Sequence, residues 1–173
     1  MKKLMILLMV LLIALPALAE TAEEPLAPFQ ISAPEGVSAE EPVGGTGLTF
    51  VHENGTTRVL AMVISRVPDT EGDHAAELRR LMVQFAPESR SGVPLSLTAG
   101  LHGLQAVTPN AMEGRNGARP DQVTVMVLWQ TALRGELLIL SGYDMDGDTL
   151  AVEELLSSLL SHTTVNGAPI MAE

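Results

Sequence analysis

Three aspartates at alternate positions are this chain's nearest approach to a chemical signature. In Asp144-Met145-Asp146-Gly147-Asp148 the carboxylates are stepped as at the opening of an EF-hand loop, where their oxygens converge on one hard cation. The spacing then fails that loop's later demands. Its sixth position needs Gly and holds Thr149, and its twelfth needs Glu and holds Leu155, with Glu154 one residue early. Glu136 to Tyr143, just before it, reads as a strand rather than an entering helix. A strand-to-helix turn accounts for the same residues: Asp148 caps the next helix, and the neighbouring acids suit the positive end of its dipole. Capping is the expectation, and calcium held by Asp144, Asp146 and Asp148 is the competing reading.

The remaining reactive side chains are scattered. The four histidines are His52, His74, His102 and His162, with no H-x-H or H-x-x-x-H pair among them. His102 lies in a strand pattern between Gly100 and Gly103, but the sequence supplies no nucleophile or orienting carboxylate for it to serve as a base. There is no G-x-S-x-G elbow, no P-loop and no G-x-G-x-x-G run. Cysteine is absent, which removes disulfides, thiolate metal sites and thiol nucleophiles. The carboxylate pairs Glu23-Glu24, Glu40-Glu41 and Glu153-Glu154 fall in linkers or on a solvated helix face. The expectation is a protein that is not an enzyme and carries no cofactor. Arg115 and Arg119 stand out differently: they place two positive charges in the long polar stretch Pro109 to Asp121. A loop of that length reads as an interaction surface or as disorder. Trp129 and Tyr143, each the only residue of its kind, fall in central strand patterns and are expected in the core.

Charge and the first residues bound the setting. Lys2-Lys3, the apolar run Leu4 to Leu15, Pro16 and the small residues of Ala17-Leu18-Ala19 form the pattern of a cleavable secretory signal peptide. The run falls short of the ~20 residues a membrane-spanning helix needs. No Cys stands near the cleavage point, so the lipoprotein route is closed. Both lysines lie in this leader. The remainder holds eight Arg against 21 Asp and Glu, a formal charge of −13. Such a surface repels nucleic acid and anionic lipid. The expected organisation is a signal peptide at 1–19, a flexible acidic linker at 20–27, one domain at 28–162 and a frayed tail at 163–173. The mature protein is expected in the periplasm or outside the cell, with no membrane attachment after cleavage.

The elements that would position these residues follow from periodicity. Phe29-Gln30-Ile31 makes a short strand, and Ser38 to Gly47 reads as loop. Leu48 to His52 and Thr56 to Val67 flank Asn54-Gly55, the pair that favours a type I′ hairpin turn. The second of these strands is apolar on both faces, so both must be covered. Asp73 can cap a helix whose apolar stripe is Leu78, Leu81, Met82 and Phe85, ended by Pro87. Leu95 to Val107 reads as a strand broken around Gly100 to Gly103. Gln122 to Thr131 and Glu136 to Tyr143 form a hairpin, and Asp148 to His162 closes with a helix whose stripe is Val152, Leu155, Leu156, Leu159 and Leu160. The result is an α+β fold: a mostly antiparallel sheet flanked by two main helices.

This order resembles the PsbP-like fold, which includes the extrinsic photosystem subunit and DcrB-type bacterial periplasmic proteins. The resemblance is carried by Pro28-Phe29-Gln30-Ile31-Ser32-Ala33-Pro34-Glu35-Gly36, by Leu101-His102-Gly103-Leu104-Gln105-Ala106, and by the stripe Leu155 to Leu160 after the last hairpin. It implies an α/β/α sandwich and a binding or accessory role rather than a shared reaction. The expected function is an exported, non-catalytic accessory protein of the bacterial envelope acting through a protein partner. The alternative is a periplasmic protein that binds a small ligand or, weakly, a cation.

Overall fold

The computed structural model describes residues 28–41, 47–67, 71–90 and 92–172. The expected signal peptide and acidic linker lie outside them. A seven-stranded sheet dominates, in the spatial order β2-β3-β4-β8-β7-β6-β5 and antiparallel at every pairing. Its strands are β2 (Val37–Glu40), β3 (Leu48–His52), β4 (Thr57–Arg66), β5 (Val93–Pro94), β6 (Leu101–Thr108), β7 (Gln122–Gln130) and β8 (Gly135–Asp144). The central strands β8 and β7 are covered on both faces, as their unbroken apolar runs require, whereas β4 is sealed on the α2 face alone: Val59 and Ala61 are buried, while Leu60 and Met62 on its other face are only half-buried. Helix α1 (His74–Phe85) packs on β6 and β7 from one side, and helix α2 (Thr149–Ser161) packs on β8, β4 and β7 from the other.

The two sides alternate residue by residue along β8. Leu138 and Leu140 join Val59, Val125 and Val127 under the α2 residues Val152, Leu155, Leu156 and Leu159. Leu137 and Ile139 join Met126, Leu128 and Leu104 under the α1 residues Leu78 and Met82. Each large apolar side chain buried in these layers contributes on the order of 1.5–3 kcal/mol. Gly142 of β8 lets α2 approach, because a Cβ there would lie 2.7 Å from Val152 and 3.1 Å from Val59.

Several expectations change. Residues 163–171 are not frayed. β9 (Thr163–Val165) pairs on one side with β1 (Phe29–Ile31) and on the other with β10 (Ala168–Pro169), making a small second sheet. Ile170 is 0 % exposed, so the domain runs past His162. Val165, Ile170 and Phe29 cover the part of the main sheet that α2 does not reach, and this burial is what orders the segment. The type I′ geometry also sits elsewhere. At Asn54-Gly55 only Gly55 has a positive φ, and the turn is closed by Gly55 N–H donating to the His52 carbonyl, so the loop is longer than two residues. At Asn166-Gly167, between the paired Val165 and Ala168, both residues have positive φ. Within Ser38 to Gly47, residues 38–40 belong to the edge strand β2 rather than to loop. Phe85 is exposed while Ala86 is buried, because the face of α1 set on the sheet steps through Leu78, Met82 and Ala86. The strand break falls at 95–100, ahead of β6. There Leu101 N–H donates to the Thr98 carbonyl, and Gly103 admits the close approach of Leu97. β4 loses cover from Val63 onward, both Val63 and Ile64 being over a third exposed.

Candidate functional site

The two stretches singled out as candidate sites meet at one end of the sheet. Arg115 N–H donates to the Met145 carbonyl at 2.8 Å, tying the loop Pro109 to Asp121 onto the Asp144 to Asp148 turn. A Cβ on Gly114 would lie 2.5 Å from that same carbonyl. The loop is built as a small hairpin. Ala118 N–H donates to the Arg115 carbonyl across Asn116-Gly117, both of positive φ, and Ala111 N–H donates to the Pro120 carbonyl. Asp121 Oδ1 accepts from Asn110 N–H at its base. Disorder is therefore not its state, and Arg115 and Arg119 stand exposed on it.

Two of the three aspartate carboxylates, those of Asp144 and Asp148, are engaged in hydrogen bonds of the turn itself. Asp144 is buried: its Oδ2 accepts from the Thr57 hydroxyl at 2.7 Å, and its Oδ1 accepts from the backbone N–H groups of Asp146 at 2.8 Å and Asp148 at 3.3 Å. Burial works against its charge. The hydrogen bonds from the Thr57 and Thr56 side chains and from the Asp146 and Asp148 amides outweigh that cost and hold its carboxyl below the ordinary carboxylate range. Asp148 caps α2, accepting from Ala151 N–H at 3.1 Å, and Asp146 is exposed. The EF-hand reading of Asp144, Asp146 and Asp148 gives way to the capping one, since Asp144 Oδ1 is turned onto amides of its own turn. Among the described residues no group of three or more His, Asp or Glu side chains is placed to hold a metal ion.

A further concavity lies at the opposite end of the sheet, where the sequence offers no candidate site. It is a groove of about 540 Å³ between the main sheet and the C-terminal hairpin. Leu101 at the start of β6, Trp129 at the end of β7, and Val165, Pro169 and Met171 give it an apolar lining. Thr98, Gln130 and Asn166 add neutral polar groups at its rim, and none of the lining residues is ionisable. Trp129 is thus half-buried in a groove wall rather than sealed in the core. The opposing walls are tied together: Thr98 N–H donates to the Ile170 carbonyl at 2.9 Å, and Leu97 and Met171 form an isolated β-bridge. The volume lies within the range of small-molecule sites, roughly 300–1,000 Å³. The sequence signal for this groove was the pair Asn166-Gly167, which marks the hairpin forming its far wall.

Two further polar features lie apart from the groove lining. Glu136, opposite Trp129 on β8, is buried and accepts from Ser65 Oγ at 3.0 Å and from Arg134 Nε at 2.6 Å, a paired buried charge. His102 is exposed at the start of β6, with its ring beside that of His74 at the start of α1.

Comparison with known proteins gives a likeness of fold. No family model matches the chain, and no curated protein is significantly similar to it in sequence. No helix among the described residues is long and apolar enough to cross a membrane. Among solved structures, the chain is similar to LpqN, a protein involved in cell envelope biogenesis of Mycobacterium tuberculosis. The TM-score is 0.60 at 13% sequence identity, over 83% of this chain and 87% of that one. At that identity what the two share is the fold.

Proposed function

We propose that this is an exported, non-catalytic accessory protein of the bacterial envelope, and that it works by binding a small, uncharged, largely apolar molecule in the groove beside Trp129. The groove carries the reading. A chain with 21 acidic residues keeps every ionisable side chain out of the lining of this groove, which suits a neutral occupant. Export is inferred from the leader Met1 to Ala19. The envelope setting is supported by the fold likeness to LpqN, and the PsbP-like resemblance agrees with an accessory role; both are analogies of fold. His102 lacks an adjacent nucleophile–base pair, which favours binding over turnover.

Trp129 is the only tryptophan, so its emission reports on the groove directly. Titrating the protein with the neutral fluorophore N-phenyl-1-naphthylamine should quench Trp129 by energy transfer and brighten the probe. Ala168→Phe, at an exposed position on the groove wall, should abolish both signals while leaving the melting temperature unchanged. No transfer in the parent protein, or equal transfer in Ala168→Phe, would refute the proposal.

A second reading rests on the ordered hairpin at Pro109 to Asp121. Arg115 and Arg119 stand exposed on it in a strongly acidic protein and suit an acidic segment of a protein partner. Its test is partner recovery from envelope extracts, which Arg115→Glu with Arg119→Glu should eliminate.

A further inference from the structure

His102, singled out in the sequence, acquires a partner in the fold. Its ring lies 4.8 Å, centroid to centroid, from that of His74, with the planes inclined at 51°. The two residues are 28 positions apart and come from different elements, α1 and β6, on the sheet face away from the groove. Nδ1 of His74 is buried and has no hydrogen-bond partner.

We propose that His74 and His102 form a two-imidazole site for a borderline divalent ion, Cu²⁺ in preference to Ni²⁺ and Zn²⁺. Geometry carries the argument. An imidazole nitrogen sits about 2.0–2.1 Å from such an ion, so two rings on one ion have centroids roughly 4.5–5.2 Å apart for bond angles between square-planar and tetrahedral. The observed separation falls inside that window, and coordination would satisfy the orphaned nitrogen of His74. Imidazole pairs favour Cu²⁺ over its neighbours and discriminate against Mg²⁺ and Ca²⁺, which prefer oxygen. Asp73, the α1 cap, supplies a nearby negative charge. Arg79 and the α1 N-terminus oppose a cation, and with only two protein ligands the rest of the coordination falls to water.

Electron paramagnetic resonance of the purified protein with one equivalent of Cu²⁺ tests this. The expected spectrum shows nitrogen superhyperfine structure from two imidazoles. His102→Ala, at an exposed position that the fold tolerates, should reduce it to that of one imidazole or of aqueous copper. Cu²⁺ should also raise the parent melting temperature more than Ni²⁺ or Zn²⁺ does, Ca²⁺ should leave it unchanged, and His102→Ala should remove the rise. His52→Ala and His162→Ala should retain the parent spectrum. A two-nitrogen spectrum that survives His102→Ala, one that is lost instead in His52→Ala or His162→Ala, or no two-nitrogen spectrum in the parent protein would each overturn the site.

Discussion

Asp144 separates a structural turn from a cation loop, and its replacement by Asn is the most telling perturbation. The carboxylate accepts from the Thr57 hydroxyl and from the amides of Asp146 and Asp148, joining the β3–β4 hairpin to the turn that launches α2. Asn keeps the shape and one acceptor oxygen. That oxygen can serve the two amides while the Asn amide group donates to Thr57 Oγ1, which already accepts from Asn54 Nδ2. What is lost is the charge on these bonds and the acceptor of the buried Thr57 hydroxyl proton. Bonds to charged groups contribute about 1.5–3 kcal/mol against roughly 1 for neutral ones, so D144N should cost about 1–3 kcal/mol at neutral pH. D144A leaves the hydroxyl and both amides without this acceptor and should cost about 3–5 kcal/mol. Urea denaturation measures both. The pH dependence supplies a second axis. The folded carboxyl titrates below its ordinary value of 3.8, so its contribution is fully present above that value. It disappears as the pH falls through the folded value, and the gap between parent and D144N should close there. Millimolar calcium should leave the parent curve unmoved. A D144N protein as stable as the parent at neutral pH, or a parent stabilised by calcium through Asp144, would refute the assignment.

Two other replacements probe the packing. Gly142→Ala sets overpacking against Val152, about 1–3 kcal/mol, against a gain of ~0.4–1 kcal/mol from a stiffer unfolded chain, so thermal denaturation should show net destabilisation. Adding Val152→Ala should recover part of that loss as a favourable coupling in a double-mutant cycle. Ending the chain after His162 removes Val165 and Ile170 from the core and should cost up to about 3–6 kcal/mol in urea denaturation, where a frayed tail would cost nothing.

Strands and helices were legible wherever apolar periodicity ran for several residues. β4, β7 and β8 show it, and so does α2, whose stripe Val152, Leu155, Leu156, Leu159 and Leu160 is buried throughout. Both caps, Asp73 and Asp148, were readable because the cap is a local arrangement of one side chain and the amides just ahead of it. What escaped was decided at long range. β9 and β10 are too short to show a period, and they are ordered by β1, more than 130 residues earlier in the chain, and by the sheet beneath. The groove escaped for the same reason, since its walls come from three separated stretches. The His74–His102 pair escaped because pairing across α1 and β6 leaves no spacing to read. The Asn-Gly rule applied well at Asn166 and poorly at Asn54. There the Asn54 side chain accepts from Thr56 and Thr57 N–H, closing a different turn that positive φ at Asn is not needed to form.

One face of the sheet therefore has two covers of different origin, α2 towards one end and the β1-β9-β10 sheet towards the other. The groove lies along the border of the second cover, not inside either. Each wall is anchored before anything binds: Trp129 and Leu101 by the register of β7 with β6, and Pro169 and Met171 by the bonds from Thr98 and Leu97. An occupant would meet walls already set apart at their working distance, so little of its binding energy is spent on ordering the protein. The same contacts couple the groove to the core, since loosening residues 163–171 would dismantle the groove and expose Ile170 in one step.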